Sequence, residues 1–272
     1  MGTLYLVATP IGNLEDITAR ALRVLREASL IAAEDTRHTR RLLAHFDIHT
    51  PLTSYYEHNK LHKLEAVLAA LNTGDVALVS DAGTPALSDP GYELVRAALA
   101  AGYPVTPIPG PSALVAALVA SGLPTDAFVY LGFLPRKDAE RRRLLESVRA
   151  EPRTLVAYEA PHRLLDTLAD LQAVLGDRRV AVARELTKLH EEIFRGPLAE
   201  AAAHFGHKDV LGEITLVVAG AAAQPPDRWD APRVRAELAR LTAAGLKRKE
   251  AAHQLAQRAG WSAREIYNLS AD

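Results

Sequence analysis

The sequence predicts an α/β protein with two α/β domains, the first built on a mostly parallel sheet and the second on a mixed sheet, followed by a small helical domain. In the first 120 residues, short apolar strand patterns alternate with helical patterns, which is typical of a parallel sheet. Residues 121–126 contain Gly and Pro and precede strand patterns with less regular spacing, which favours a mixed sheet. An Ala- and Pro-rich linker at 221–226 then precedes three short helical patterns. We therefore expect domains at 1–121, 122–221 and 222–272.

The elements of the first domain follow from apolar spacing and from capping residues. Apolar runs predict strands over Thr3–Thr9, Leu30–Ala33, Val76–Val79 and Val105–Ile108, and helical spacing predicts helices over Ile17–Ala28, Asn59–Leu71 and Ala113–Ala120. A further helix is expected between Pro90 and Gly102. The residues expected to cap helices through their side-chain oxygens are Asp16, Ser88 or Asp89, and Ser112.

The second domain and the tail are predicted in the same way. Strands are expected over Phe128–Phe133, Thr154–Tyr158, Arg179–Ala183, Glu191–Phe194 and Glu213–Val218, with helices near Ala139–Arg149 and His162–Leu175. The tail patterns are Pro232–Ala243, Lys247–Ala259 and Ser262–Leu269, separated by Gly245 and Gly260. Three short helices with Gly turns fit either a helix-turn-helix or a helical cap or dimerisation arm.

Composition excludes several classes of function. The 272 residues are 49% hydrophobic and carry a net charge of −1, which argues against a uniformly basic nucleic-acid coat. The absence of cysteine excludes disulfides and catalytic thiols and fits a reducing cytosol. No apolar run approaches the roughly 20 residues of a membrane span, no export signal is visible, and the histidines lack paired metal-ligand spacing. We expect a cytoplasmic protein with no metal and no membrane partner.

Small-residue turns follow three predicted strands of the first domain. They are Thr9–Asn13, Ser80–Pro85 and Pro107–Ala113, and none contains a P-loop or a clean G-x-G-x-x-G pattern. Ligands bind beyond the carboxyl ends of strands in open α/β sheets, so the three turns are expected to converge on one ligand cleft. Each turn also has a local interpretation. Asp81 is a common turn former, and Pro107–Ala113 reads equally as a rigid connection.

Charged clusters offer candidates for chemistry. Glu34 and Asp35 stand at a strand-to-helix junction, where either is a candidate base, although Asp35 also fits a helix cap. The basic run Arg136–Arg143 begins at a strand end and reads either as a solvated helix face or as a phosphate-binding surface.

Seven motifs in order resemble one known family. They are residues 6–14, 33–37, 80–85, 109–112, 132–136, 158–163 and 212–215. Together they are similar to the small-subunit ribosomal RNA 2′-O-ribose methyltransferases I of the tetrapyrrole methylase superfamily. The resemblance covers roughly residues 3–220, and the tail resembles the helix-turn-helix domain that many members carry.

This resemblance implies S-adenosylmethionine bound in a cleft between two α/β domains, and 2′-O-methylation of a cytidine in the decoding region of 16S ribosomal RNA in the small ribosomal subunit. It also implies a homodimer. The cofactor residues carried over are Pro10, Ile11, Gly12, Asp81, Gly83, Thr84, Ser112, Ala113, Glu159, Ala160, Glu213, Ile214 and Thr215.

The acceptor hydroxyl is a poor nucleophile until its proton is removed, and we hypothesise that Glu34, Asp35 or Glu159 is the base. The residues expected to hold RNA phosphates are Arg37, Arg136, Arg141, Arg142 and Arg143. Two other functions fit the sequence. One is a tetrapyrrole methyltransferase with the same fold and cofactor, and the other is a nucleic-acid-binding regulator that reads through its tail. The motif at 33–37 favours RNA methylation.

Overall fold

The computed structural model describes residues 1–56, 60–222 and 228–269. The chain divides into two units, residues 1–221 and residues 222–272, and each is described by itself. Two expectations fall partly outside the described residues: the helix start at Asn59 and the linker at 221–226.

The first sheet is wholly parallel. Its strands are β1 (Leu4–Val7), β2 (Leu30–Ala33), β3 (Leu52–Ser54), β4 (Val76–Val79) and β5 (Val105–Ile108), in the order β3-β2-β4-β1-β5. Its helices are α1 (Ala19–Glu27), α2 (Thr36–His45), α3 (Lys60–Leu71), α4 (Tyr92–Ala100) and α5 (Ala113–Ala120). One apolar cluster packs α1 and α2 against one face, and a second packs α3 and α4 against the other. Because both faces are covered, the strands read as continuous apolar runs.

The second sheet is mixed, as predicted. Its strands are β6 (Phe128–Phe133), β7 (Thr154–Glu159), β8 (Arg179–Arg184), β9 (Glu192–Pro197) and β10 (Ile214–Val218), in the order β6-β7-β10-β8-β9. β6 and β7 are parallel, and the other described pairs are antiparallel. The helices are α6 (Asp138–Ser147), α7 (Leu164–Leu175) and α8 (Leu198–Phe205).

Helix α5 links the two sheets. It follows β5 of the first sheet, and its sequence ALVAALVA is apolar on every side. Leu114 and Leu118 pack in one buried cluster with Val156 of β7 and Val217 of β10. The helix therefore covers a face of the second sheet while its first turn stays at the edge of the first.

The tail unit is a three-helix arrangement of α9 (Ala231–Ala243), α10 (Arg248–Ala259) and α11 (Ala263–Tyr267). Val234, Leu238, Leu255 and Ile266 form its core. α10 ends at Gly260, whose φ of 66° is the left-handed conformation that Gly adopts without strain. None of the helices in the described part of the chain has the length and apolar character needed to cross a membrane.

Several local predictions are wrong. α1 begins after Thr18, whose hydroxyl accepts a bond from the Ala21 N–H, whereas Asp16 lies in a preceding 3₁₀ turn. α4 begins after Gly91 and has no side-chain cap, so neither Ser88 nor Asp89 caps it. Ser112 occupies the position before α5, but its side chain makes no capping bond. The sequence patterns also missed β3 and α8, which are only 3 and 8 residues long.

The expectation that Arg141 holds RNA is wrong. Its side chain is 3% exposed, and its guanidinium donates to the buried Asp170 carboxylate and to Asp138. Arg142 donates to the other Asp170 oxygen at 2.7 Å. Asp170 lies on α7, so the ion pair connects α6 to α7. Because the Arg141 guanidinium is buried in this contact, it is not available to bind phosphate.

Replacement of Asp170 by Ala is expected to lower the free energy of unfolding by about 3 kcal/mol, because it leaves a buried guanidinium with one exposed partner. Urea denaturation measures the change. Arg143→Ala, at an exposed position on the same helix, is the matched control and is expected to cost less than about 0.5 kcal/mol. Equal effects of the two substitutions would contradict an anchoring role for the buried pair.

Candidate active site

Three loops at the carboxyl edge of the first sheet are hydrogen-bonded to one another. Thr9 after β1 and Gly83 after β4 exchange backbone N–H···O=C bonds of 2.9 Å in both directions. The Thr84 hydroxyl donates to the Pro111 carbonyl after β5 at 3.3 Å. Gly83 has a φ of 78°, which lets the chain turn here at no steric cost. The convergence expected from the three turns is present.

The second sheet places two of its strands beside these loops. β10 runs antiparallel to β7, so the beginning of β10 lies next to the end of β7. Ile214 is paired with Glu159, and Thr215 with Tyr158. This pairing explains why a strand start and a strand end contribute to the same site.

A cleft of about 390 Å³ lies among these segments. Its lining comes from the loops of the first sheet, from the start of α5 and from β6, β7 and β10 of the second. The lining residues are Ile11, Glu34, Asp81, Ala82, Gly83, Thr84, Leu87, Ser88, Asp89, Ser112, Ala113, Phe133, Tyr158, Glu159, Ala160, Pro161, Gly212, Glu213, Ile214 and Thr215.

Most of the residues that the sequence assigned to a cofactor meet in this cleft, and two do not line it. The two are Pro10 and Gly12. Gly12 lies against the loop after β8, where an added Cβ would stand 2.3 Å from Cγ of Lys188. Because Gly12 has no side chain, the loop after β8 can approach it closely.

The cleft is acidic. Glu34, Asp81, Asp89, Glu159 and Glu213 line it, and none of the described lining residues is Lys, Arg or His. Burial raises the pKa of Glu34, and repulsion from Asp81 adds to the rise. Burial also raises the pKa of Asp89 to about 6, with further repulsion from Glu34.

Asp89 lines the cleft, whereas its sequence context suggested only a helix cap. It lies in an irregular loop in which Ala86 and Ser88 have positive φ values of 67° and 64°. Strained backbone of this kind is concentrated at functional sites. The signal in the sequence was a carboxyl group a few residues beyond the 80–85 turn, but only tertiary structure reveals its burial.

Asp35 does not line the cleft. Its carboxylate accepts bonds from the Arg37 N–H at 2.7 Å and from the Arg37 guanidinium at 3.4 and 3.3 Å. The bond from the Arg37 side chain lowers the pKa of Asp35. Its own backbone N–H donates to Asp81 at 3.0 Å and so connects the ends of β2 and β4. The helix-cap interpretation of Asp35 is the one observed, and the geometry does not favour it as a base.

Glu159 is buried and fully engaged. One carboxylate oxygen accepts from Arg163 at 2.9 Å and from the Thr167 hydroxyl at 2.6 Å, and the other accepts from the Ala160 N–H at 2.7 Å. Arg163 also donates to the carbonyls of Leu134 and Pro135. Both carboxylate oxygens therefore fix the loop between β7 and α7, and this geometry does not favour Glu159 as a base.

The remaining predicted RNA-binding arginines lie on the surface. Arg37 is 85% exposed beside Asp35, and Arg142 is 61% exposed beside Asp170. Arg136 and Arg143 are exposed. Within the described ranges, no group of three or more potential ligand side chains is arranged to hold a metal ion.

Comparisons with known proteins agree with this architecture. A sequence profile of the family Tetrapyrrole (Corrin/Porphyrin) Methylases matches residues 3–202. A ribosomal RNA small subunit methyltransferase I from Synechocystis sp. is 53% identical over 272 residues, which are 99% of this chain and 98% of that protein. A protein of the same name from Thermotoga maritima is 52% identical over 221 residues, which are 81% of this chain and 99% of that protein.

A solved structure supports the fold. Uroporphyrin-III C-methyl transferase from Thermus thermophilus, complexed with S-adenyl homocysteine, matches with a TM-score of 0.55 at 23% identity, over 80% of this chain and 97% of that chain. Identity this low concerns the fold alone. The profile match and the relatives decide the family. This chain belongs to the tetrapyrrole (corrin/porphyrin) methylase family, together with relatives named ribosomal RNA small subunit methyltransferase I.

Proposed function

We propose that this chain transfers a methyl group from S-adenosylmethionine to the 2′ oxygen of a cytidine ribose in the decoding region of small-subunit (16S) ribosomal RNA. The observation that carries the proposal is the acidic cleft at the junction of the two sheets of a methylase fold. The names of relatives that match nearly the whole chain support ribosomal RNA as the acceptor.

The cleft fits a ligand that carries positive charge and a carboxylate. Its volume of about 390 Å³ lies in the usual range of small-molecule sites, roughly 300–1,000 Å³. Five acidic side chains lie in the lining, and three of them, Glu34, Asp81 and Asp89, favour a sulfonium or an ammonium group, while Glu159 and Glu213 are ion-paired with Arg163 and Lys188. Ser112 leaves the first turn of α5 uncapped, and the N–H groups there are suited to a carboxylate.

The same acidity distinguishes RNA methylation from the tetrapyrrole alternative. A carboxylate-rich macrocycle entering this cleft would meet Glu34 and Asp89, and no described residue of the lining is a cation that would offset them. A ribose hydroxyl is neutral, and the phosphates on either side of it would stay outside, near the exposed arginines. The acidic lining therefore favours a nucleoside as the group that enters the cleft.

The mechanism assigns the proton to a carboxylate of the cleft. When bound, S-adenosylmethionine would supply an electrophilic methyl group: the bond between sulfur and the methyl carbon would break as that carbon bonds to the ribose oxygen, S-adenosylhomocysteine would leave, and the hydroxyl proton would pass to a carboxylate. Asp89 is suited to accept that proton, since a base with a pKa of about 6 is ionised at neutral pH and still retains proton affinity. Glu34 raises the pKa of Asp89 by repulsion and is the second candidate.

The other expectations stay predictions within this proposal. They are a small-ribosomal-subunit substrate, a homodimer, a cytoplasmic location, a division at residue 121 between the two methylase domains, and a helix-turn-helix role for the tail. The relatives named for the small ribosomal subunit support the first. The match to the Thermotoga maritima protein leaves about a fifth of this chain without a counterpart, so the family fold does not require the whole chain.

Methyl transfer to purified small ribosomal subunits tests the function. Labelled methyl groups from S-adenosylmethionine are expected in ribosomal RNA, on the ribose of a single cytidine, when the subunits come from cells that lack this activity. Uroporphyrinogen is offered in parallel as the competing acceptor. Transfer to the tetrapyrrole and none to RNA would overturn the proposal.

Asp89→Asn is expected to reduce turnover by about 100-fold or more, because the amide cannot accept the proton. Binding of S-adenosylhomocysteine, measured by calorimetry, is expected to change little. Asp16→Asn is the matched control, since Asp16 is exposed and outside the cleft. Wild-type turnover in the Asp89 variant would show that this carboxylate is not the base.

The pH dependence follows from the pKa of Asp89. Below about pH 6 the carboxyl group is protonated and cannot act as a base, so kcat/KM is expected to fall as the pH drops through that value. Glu34→Gln removes a repelling charge, which lowers the pKa of Asp89 and moves the acid limb to lower pH. An inactive Glu34→Gln protein would instead identify Glu34 as the base.

Arg136→Ala is expected to raise KM for small subunits several-fold and to reduce the salt slope of binding by about 1, as loss of one phosphate contact does. Cofactor affinity is expected to stay unchanged. Arg20→Ala, at an exposed position on α1, is the control. Filter binding at several salt concentrations gives the slope, and an identical slope in both variants would exclude a phosphate contact by Arg136.

A further inference from the structure

Phe133 is a large aromatic side chain left open to solvent at the cleft. It ends β6, lines the cleft and is 61% exposed. Because this exposed ring lies inside a ligand site, a molecule that enters the cleft from solvent can contact it.

Two tyrosines form an aromatic cluster with the ring of Phe133. Its centroid is 5.3 Å from that of Tyr158, which is in turn 5.4 Å from that of Tyr130 in an edge-to-face arrangement. The Tyr130 hydroxyl is 2.7 Å from the Ser88 hydroxyl. Three rings thus run from the loop that carries Asp89 to the mouth of the cleft.

The backbone beyond the ring is also fixed. The Arg163 guanidinium donates to the Leu134 carbonyl at 2.7 Å and to the Pro135 carbonyl at 3.2 Å, while Glu159 holds the same guanidinium at 2.9 Å. Phe133 is therefore presented by a rigid segment, and the exposed Arg136 follows at once.

We propose that Phe133 is the platform on which the base of the target nucleotide stacks. The inference rests on the proposed function and adds a specificity-determining residue to it. Bases of single-stranded RNA are bound by stacking on aromatic rings. The neighbouring Gly132 lies against Ser88, where an added Cβ would be 3.6 Å from the hydroxyl oxygen. A base stacked on Phe133 is thus held next to the loop of Asp89, the proposed proton acceptor.

The exposure of the ring assigns it to the acceptor and not to the methyl donor. Small-molecule cofactors are usually buried over 70–90% or more of their surface. The segments suited to such burial are the Gly83 turn and the beginning of β10, where Ile214 and Thr215 are buried. Phe133 is the exposed part of the lining, which suits it to contact an RNA base.

Four substitutions test the platform in full-length protein. Phe133→Ala is expected to reduce kcat/KM for small subunits by about 10-fold or more, mainly through KM, as loss of one stacked base does. Phe133→Leu keeps apolar bulk without a ring and is expected to be as defective. Phe133→Trp keeps a stacking face and is expected to stay within about threefold of wild type. Tyr92→Ala, at a 62% exposed position on α4 outside the cleft lining, is the control.

Affinity for S-adenosylhomocysteine shows whether the Phe133 ring binds the target base or the cofactor. It is expected to be unchanged in all four proteins, and a parallel loss in the Ala and Leu variants would assign the ring to the cofactor and overturn the inference. Wild-type activity of Phe133→Leu would also overturn it, since bulk alone would then suffice. If the wild-type protein itself methylates no RNA, the proposed function fails and the platform fails with it. A failure of the platform alone leaves the wild-type methylation intact.

Discussion

The packing of α5 against the second sheet is the contact on which the site depends. Leu114, Ala117 and Leu118 are buried in a cluster with Val156 and Val217. Burial of a Leu or Val side chain contributes roughly 1.5–3 kcal/mol, so the cluster is a substantial part of the stability of the unit. Because α5 starts at the edge of the first sheet, this packing also brings the loops after β1, β4 and β5 opposite the end of β7 and the beginning of β10. The cleft forms between these loops and strand termini because the packing of α5 places them opposite each other.

The half-buried and buried acids of residues 1–221 divide according to their neighbours. Asp35, Glu159 and Asp170 each accept from a guanidinium, and each fixes a junction between secondary-structure elements. Glu34 and Asp89 are half-buried beside other carboxylates, so burial and repulsion raise the pKa of both. The first arrangement stabilises the fold. The second places carboxyl groups with raised pKa values in a cleft, and acid–base chemistry requires groups of this kind.

The sequence predicts the strands better than it predicts the roles of side chains. The strand patterns of the first sheet are continuous apolar runs, so β2, β4 and β5 were located to the residue. β3 has only three residues, too few for a pattern. The roles of the Arg141 and Asp89 side chains were predicted wrongly for a different reason. The burial of Arg141 depends on Asp170, 29 positions away, and the raised pKa of Asp89 depends first on its burial and then on repulsion from Glu34. Local sequence does not contain such long-range partners.

The electrostatics of the cleft also couple donor binding to proton transfer within the proposed function. A cation in the cleft would lower the pKa of Asp89 and Glu34, by the same Coulombic rule through which neighbouring carboxylates raise it. The two equilibria are linked, so ionised carboxylates strengthen binding of the sulfonium and the sulfonium favours the ionised base. In the proposed reaction, methyl transfer would remove the sulfonium charge and deliver one proton to a carboxylate. Both partners of the attraction are thereby neutralised in one step, which weakens binding of the spent cofactor relative to the donor.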